Sequence, residues 1–189
     1  MSLSSPGTRE KLHRREIVID GFLREDGNYE IDAVLCDTKT ADFCTDRGLL
    51  PAGDVLHGLS ARMTVTAALE IIDFEVAMDD TPSSACETAP ANFKTLIGLE
   101  IGSGFIREAY SRVGGTIGCT HIREMLQQMA TVAIQSMYQL RRDAARGLKP
   151  PLLDSCHGWR ATGDLIRRNY PDYYQEERGV GPRGSGEGG

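Results

Sequence analysis

Three short stretches put a cysteine beside a histidine or a chain-breaking residue: Ser84-Ala85-Cys86, Gly118-Cys119-Thr120-His121 and Asp154-Ser155-Cys156-His157. The middle stretch carries the most chemistry. Gly114, Gly115 and Gly118 lead into a long apolar-periodic segment, so Cys119 is expected just ahead of the first turn of a helix. Unpaired backbone N–H groups and the positive end of the helix dipole favour a thiolate there. His121 adds a second metal ligand or a proton carrier. Together Cys86, Cys119, His121 and Cys156 make a set of three sulfurs and one nitrogen, suited to zinc or an iron–sulfur cluster. Sites of that kind usually show a CxxC pair, and the chain has none. Separated cysteines are more often packing or pocket-lining thiols. Cys36 and Cys44 lack such neighbours and read as plain thiols.

Two further groups carry titratable side chains. Glu30 and Asp32 share one face of an expected strand, where neighbouring carboxylates can hold one proton between them and serve acid–base work. A solvated sheet face with surface ion pairs is the plainer alternative. His57 and Arg62 form the other group, an imidazole with a guanidinium able to grip a substrate carboxylate in two-pronged fashion. The glycines at 98, 102 and 104 resemble a phosphate loop only loosely, because they follow a helix and no Lys-Ser or Lys-Thr comes after them. Neither HExxH nor GxSxG occurs. Trp159, the single tryptophan, reads as an apolar anchor for the C-terminal segment.

Composition narrows the function classes. The 189 residues suit one domain with a full core, with 40% apolar and 25% charged residues. A formal charge of −6 and the lack of basic clusters argue against a nucleic-acid surface. No apolar run approaches the roughly 20 residues that cross a bilayer. The start of the chain lacks the apolar segment of an export signal, and five cysteines, an odd number, fit reduced thiols in a cytoplasmic protein.

The elements that must position these groups follow from periodicity. Residues 1–12 read as an arm, 13–178 as one domain and 179–189 as a disordered Gly-rich tail. Ile17-Val18-Ile19 marks a strand from Glu16 to Leu23, Asp26-Gly27 a hairpin turn, and Tyr29–Asp37 a return strand with Tyr29, Ile31, Ala33 and Leu35 on one face. A second hairpin is expected from Leu59–Thr66 and Leu69–Met78, turning near Ala67-Ala68, with Ile72, Phe74, Val76 and Met78 buried. Pro90 opens a short helix carrying Phe93, Leu96 and Ile97 on one stripe, and Phe105–Val113 forms another. The longest helix is predicted from about Thr120, a candidate N-cap, to Ala145, with Ile122, Leu126, Met129, Ala133, Met137 and Leu140 as its stripe. Strands first and helices afterwards give an α+β fold: an antiparallel meander of about four strands with helices packed on one face.

With these residues laid out, the chain resembles the bacterial family catalogued as domain of unknown function 2889. The resemblance rests on His13 with Arg15, "REDGNYEIDAVLCDTK" from Arg24, "AGDVLHGLSARMTV" from Ala52, "IGSGF", "GGTIGCTHIREML" from Gly114 and "LLDSCHG" from Leu152. Arg24, Asp32, His57, Arg62, Cys86, Cys119, His121 and Cys156 fall on positions of its pattern. The hairpin acid is offset, and Gly58-Leu59-Ser60 replaces a more aromatic stretch; both departures point to a changed substrate. In layout alone, a meander followed by a cysteine-headed helix is similar to the iron–sulfur scaffold proteins of the NifU and SufE kind, and layout does not transfer function.

These readings lead to one expectation and two alternatives. The first is a small-molecule enzyme using acid–base or metal-assisted chemistry, lyase- or hydrolase-like, on an organic acid or aromatic catabolite. Its pocket is expected between sheet and long helix, with Cys119 and His121 at the floor, Cys86 and Cys156 alongside, and His57 and Arg62 at the rim. The alternatives are an iron–sulfur or zinc carrier and a non-catalytic ligand-binding domain. No nucleic-acid or membrane partner is expected, and a homo-oligomer is compatible with the chain.

Overall fold

Alternating apolar residues in the first half of the chain become four long antiparallel strands. A computed structural model of the protein describes residues 3–144, 149–150 and 152–176. The expected helix end at Ala145 and the tail 179–189 lie outside those residues. Strands β1 (His13–Leu23), β2 (Tyr29–Lys39), β5 (Val55–Val65) and β6 (Ile71–Asp80) form one sheet in the order β1-β2-β5-β6. Between β2 and β5, where a plain loop was expected, β3 (Phe43–Thr45) and β4 (Gly48–Leu50) make a small separate hairpin. Strands of three residues leave no period to read. Helices follow the strands, so the class is α+β as the element order predicts.

The Asp26-Gly27 turn joins β1 and β2. Gly27 sits at φ +82°, a conformation costly for any residue with a Cβ, and its N–H donates to the Arg24 carbonyl at 3.1 Å. The next hairpin shows a correction. Ile72 is exposed and Ile71 is buried in its place, alongside Phe74. Opposite it, the register passes from Thr64–Asp73 to Val65–Ile71, so Ile72 is the extra residue of a bulge and its side chain leaves the core face.

The chain divides into two compact units, Met1–Met137 and Tyr138–Gly189. In the first, α1 (Phe105–Val113) and α2 (Thr120–Ser136) follow a one-turn 3₁₀ segment, Ser84–Thr88, and a longer one, Pro90–Leu96. Phe93 and Leu96 are buried at the three-residue spacing of a 3₁₀ helix, and Ile97, expected on the same stripe, is exposed as its cap. Helix α2 packs across β1, β2 and β5. It buries Ile122, Leu126, Met129 and Ala133 against Ile31, Leu35, Leu59 and Met63 of the sheet. Cys119, one residue before the expected Thr120, is its N-cap. The predicted 120–145 helix is interrupted: Met137, at φ −96° and ψ 0°, ends α2. Leu140 therefore lies in a separate helix of the second unit, α3 (Tyr138–Ala144), and is exposed.

In that second unit α4 (Asp164–Asn169) follows a turn at His157–Trp159. Trp159 stands between Tyr138 and Tyr170, with ring centroids 6.2 and 6.0 Å away, which makes it the aromatic anchor its composition suggested. Among the described residues no helix is long and apolar enough to cross a membrane.

Candidate functional site

The strand alternation that builds the core runs past its apolar residues and ends in polar ones. On β2 the buried face continues from Leu35 to Asp37, on β5 it continues back from Leu59 to His57, and on β1 from Ile17 to Arg15 and His13. Register pairs Arg15 with Asp37 and Asp37 with His57, so three polar side chains form one row across three strands. A register shift between Asp37 and Thr38 marks the end of that row.

Asp37 is the centre. Its side chain is 1% exposed, and a buried carboxylate must be fully paired. Arg15 supplies a two-pronged pair, Nε donating to Oδ1 and Nη2 to Oδ2, both at 2.8 Å. Three histidines complete the surroundings. His57 Nδ1 lies 3.1 Å from Oδ2, His121 Nε2 3.8 Å from Oδ2, and His13 Nε2 3.3 Å from Oδ1. The His57 and His121 rings stand 4.0 Å apart between centroids, tilted by 40°. Behind His121, Cys119 Sγ is 3.7 Å from Nδ1. From α2, Glu124 reaches back to Arg15 Nη1 at 2.7 Å and ties the helix to β1. Gly118 lets the chain enter this corner, because a Cβ there would stand 2.5 Å from the Val113 carbonyl oxygen and 3.1 Å from the Phe93 ring.

Burial opposes the pull of the arginine at Asp37. The Arg15 hydrogen bonds and charge, with the neighbouring histidines, win and hold the carboxyl below its usual range. Burial pushes both His57 and His121 below the ordinary imidazole value, against the attraction of Asp37. Arg15 is held above its ordinary value chiefly by the hydrogen bond to Asp37. Two carboxylates, Asp37 and Glu124, thus face the single guanidinium of Arg15, with His13, His57 and His121 around Asp37. Among the described residues, Asp37, His57 and His121 form a group of metal-ligating type, with one ligand atom from each lying within 4.8 Å of the others.

The thiols are distributed unevenly. Cys86, in the Ser84–Thr88 turn, is part-buried, and its thiol is pushed up first by burial and then by the nearness of Cys119. That turn is held to the β3–β4 hairpin by Ser83 Oγ donating to Asp46 Oδ2 at 2.7 Å and by an Arg47–Glu87 ion pair. Cys156 belongs to the second unit, where it is exposed and its neighbour His157 meets Arg160 Nη1 at 2.9 Å.

Arg62, Asp32 and Glu30 lie on the other face of the sheet. Five residues separate His57 from Arg62, an odd number, so their side chains leave β5 in opposite directions and share no rim. Arg62 makes its own two-pronged pair with Asp32 at 2.7 and 2.6 Å, and Glu30 pairs with Arg24 at 2.5 Å. Each carboxylate therefore has a separate arginine. Shallow grooves on that face are lined by Asp32, Arg62 and Glu75 or by Phe22, Arg24 and Glu30. Sequence reasoning gave Asp37 and Glu124 no part in a site and named His13 and Arg15 only among the residues that carry the family resemblance. The available signal was parity: Asp37 shares the face of Ile31 and Leu35, and His13 and Arg15 share that of Ile17 and Ile19.

An α+β sheet-and-helix unit whose polar corner gathers one carboxylate, one arginine and three imidazoles is the architecture that fold and site define. The chain belongs to the family described as protein of unknown function (DUF2889), whose model matches residues 13–135. The matched stretch starts at His13 and contains every residue of the corner; Cys156 and the 152–158 stretch lie beyond it. Comparison with the curated proteins and with the solved structures finds no match.

Proposed function

We propose that the first unit is a small-molecule enzyme whose working groups are Asp37, His57, His121 and Cys119, using acid–base or metal-assisted chemistry of lyase or hydrolase type. One observation carries the reading: three of the chain's four histidines lie within 3.8 Å of a single buried carboxylate. Arg15 alone satisfies Asp37, so three further imidazoles are more than packing requires. A neutral imidazole accepts a proton, and a carboxylate on its other nitrogen fixes the tautomer that does so. The His57–Asp37 contact supplies that arrangement, with Nδ1–H facing the carboxylate and Nε2 free. Cys119 beside His121 adds a thiol next to a base, the pairing that activates a nucleophile. Arg15 and His13 are both part-exposed, and a guanidinium at the edge of the corner suits a substrate carrying a carboxylate. Nitrogen and oxygen donors in the gathered group favour this reading over an iron–sulfur carrier, which would draw on thiols.

The test is turnover of small carboxylic esters, lactones and hydroxy acids, a substituted aromatic series included, by the full chain. Loss of about 100-fold or more is expected in His57→Gln and His121→Gln, as for removal of an acid–base group, with Arg62→Gln unaffected. Alkylation by iodoacetamide is the companion measurement: Cys119 should react fastest of the five cysteines and slow in His121→Gln. Equal turnover in the histidine variants, or Cys119 reacting no faster than Cys44, overturns the reading.

A further inference from the structure

Three atoms of metal-ligating type face one another across the polar corner, all within 4.8 Å. Asp37 Oδ2 is 3.1 Å from His57 Nδ1 and 3.8 Å from His121 Nε2. Four ligands placed tetrahedrally at about 2.0–2.1 Å from a zinc ion stand about 3.3 Å from each other. The two edges to Asp37 bracket that value, and the third, between the imidazoles, lies within 4.8 Å, so closure on an ion draws the two rings toward each other by up to about 1.5 Å. We infer that Asp37 Oδ2, His57 Nδ1 and His121 Nε2 form the binding site of one divalent transition metal of the zinc class, with Cys119 as the positioning residue behind His121. The inference rests on the proposed function and deepens it by choosing the metal-assisted form of the chemistry.

Three features of the corner point the same way. Two imidazoles and one carboxylate make a three-ligand set that leaves a position for water or substrate, which is the donor pattern of catalytic sites and not of closed structural ones. The orientation of His121 fits a ligand. With Nε2 on the metal, its proton resides on Nδ1 and the Cys119 sulfur sits 3.7 Å from that nitrogen as its acceptor, so in the metal-assisted form Cys119 positions the ring and is not the nucleophile. At His57 the metal takes the place of the ring proton facing Asp37, and that proton moves to Nε2. Arg15 does not block the site, since each carboxylate oxygen has two lone pairs and only one is used by the guanidinium.

The experiment is cobalt(II) and zinc(II) titration of the chelator-treated full chain, followed by visible absorption and by metal analysis after gel filtration. One equivalent is expected, with the d–d bands of a four- or five-coordinate ion. His57→Gln and His121→Gln should each weaken cobalt binding about 100-fold or more, and Cys119→Ala about 10-fold, the scale of a lost outer-shell partner. His157→Gln, in the second unit, should change nothing. Asp37→Asn removes the partner of Arg15 and risks the fold, so the histidine variants, checked by thermal melting, carry the test. Cobalt binding retained in both of them overturns the inference. So does an intense sulfur-to-cobalt band lost in Cys86→Ser, because it puts the ion on thiols. Metal bound at the histidines with no turnover in either the metal-free or the metal-loaded chain sinks the proposed function and leaves this inference standing. Histidine-dependent turnover in a chain that binds no metal does the reverse.

Discussion

The two faces of the sheet carry the same bond in different surroundings. On the core face Arg15 grips Asp37 with two hydrogen bonds of 2.8 Å, and on the outer face Arg62 grips Asp32 with bonds of 2.7 and 2.6 Å. The Asp32 side chain is 32% exposed and Asp37 is 1% exposed. Water competes for Asp32 directly and meets the inner pair only at the part-exposed Arg15, so nearly identical geometry carries different energetic weight. It carries different chemistry as well. Outside, the arginine ends the story; inside, three imidazoles are gathered around the same carboxylate. Charged residues on strands are thus weak guides to a site until the face is known.

Four measurements break or sharpen that contrast. Asp37→Ala should destabilise by about 3–5 kcal/mol in a denaturant titration, because it leaves the inner guanidinium short of its partner. Leu126→Ala follows at about 2–5 kcal/mol, through lost burial and a residual cavity in the core that supports the corner. An unchanged midpoint for it would detach α2 from the sheet. The third measurement is stability against pH in metal-free protein. His57 and His121 are held below the ordinary imidazole value, so the unfolded chain takes up protons first as pH falls. Stability is therefore full above about pH 6.5, declines as pH drops through the depressed values of the two rings, and declines again in acid when Asp37 protonates below the usual carboxylate range. Replacing both histidines by glutamine should flatten the first decline and keep the second. The smallest effect belongs to the outer face, where Asp32→Ala should stay within about 1 kcal/mol. A larger loss there than at Asp37 would reverse the comparison.

Much of this fold was legible in the sequence because its elements are periodic over long runs. The Asp26-Gly27 turn, the buried face of β2, the exact span of α1 and the α2 stripe from Ile122 to Met137 follow from spacing alone. What escaped has a local physical cause. Ile72 was misplaced by a bulge, which breaks parity without a compositional mark. Leu140 was misplaced by the break at Met137, which falls inside an unbroken apolar pattern. In the polar corner, Cys119 and His121 had been singled out through the glycines and the helix start. His57 was joined to Arg62, although an odd separation on a strand sends the two to opposite faces. Asp37 was given no part in a site, although alternation on β2 puts it on the inner face with Ile31 and Leu35.

The Arg15–Glu124 pair has a consequence for when the corner can exist. It joins residues 109 positions apart, and the groups around Asp37 come from β1, β2, β5 and α2. No segment of the chain brings two of the three imidazoles to the carboxylate through local contacts. Loop closures of that length are made late, when most of the sheet has formed. An emerging or partly unfolded chain therefore holds its histidines and Cys119 as scattered side chains. The corner assembles only with the last long-range contacts, so the proposed chemistry requires the integrity of the whole first unit.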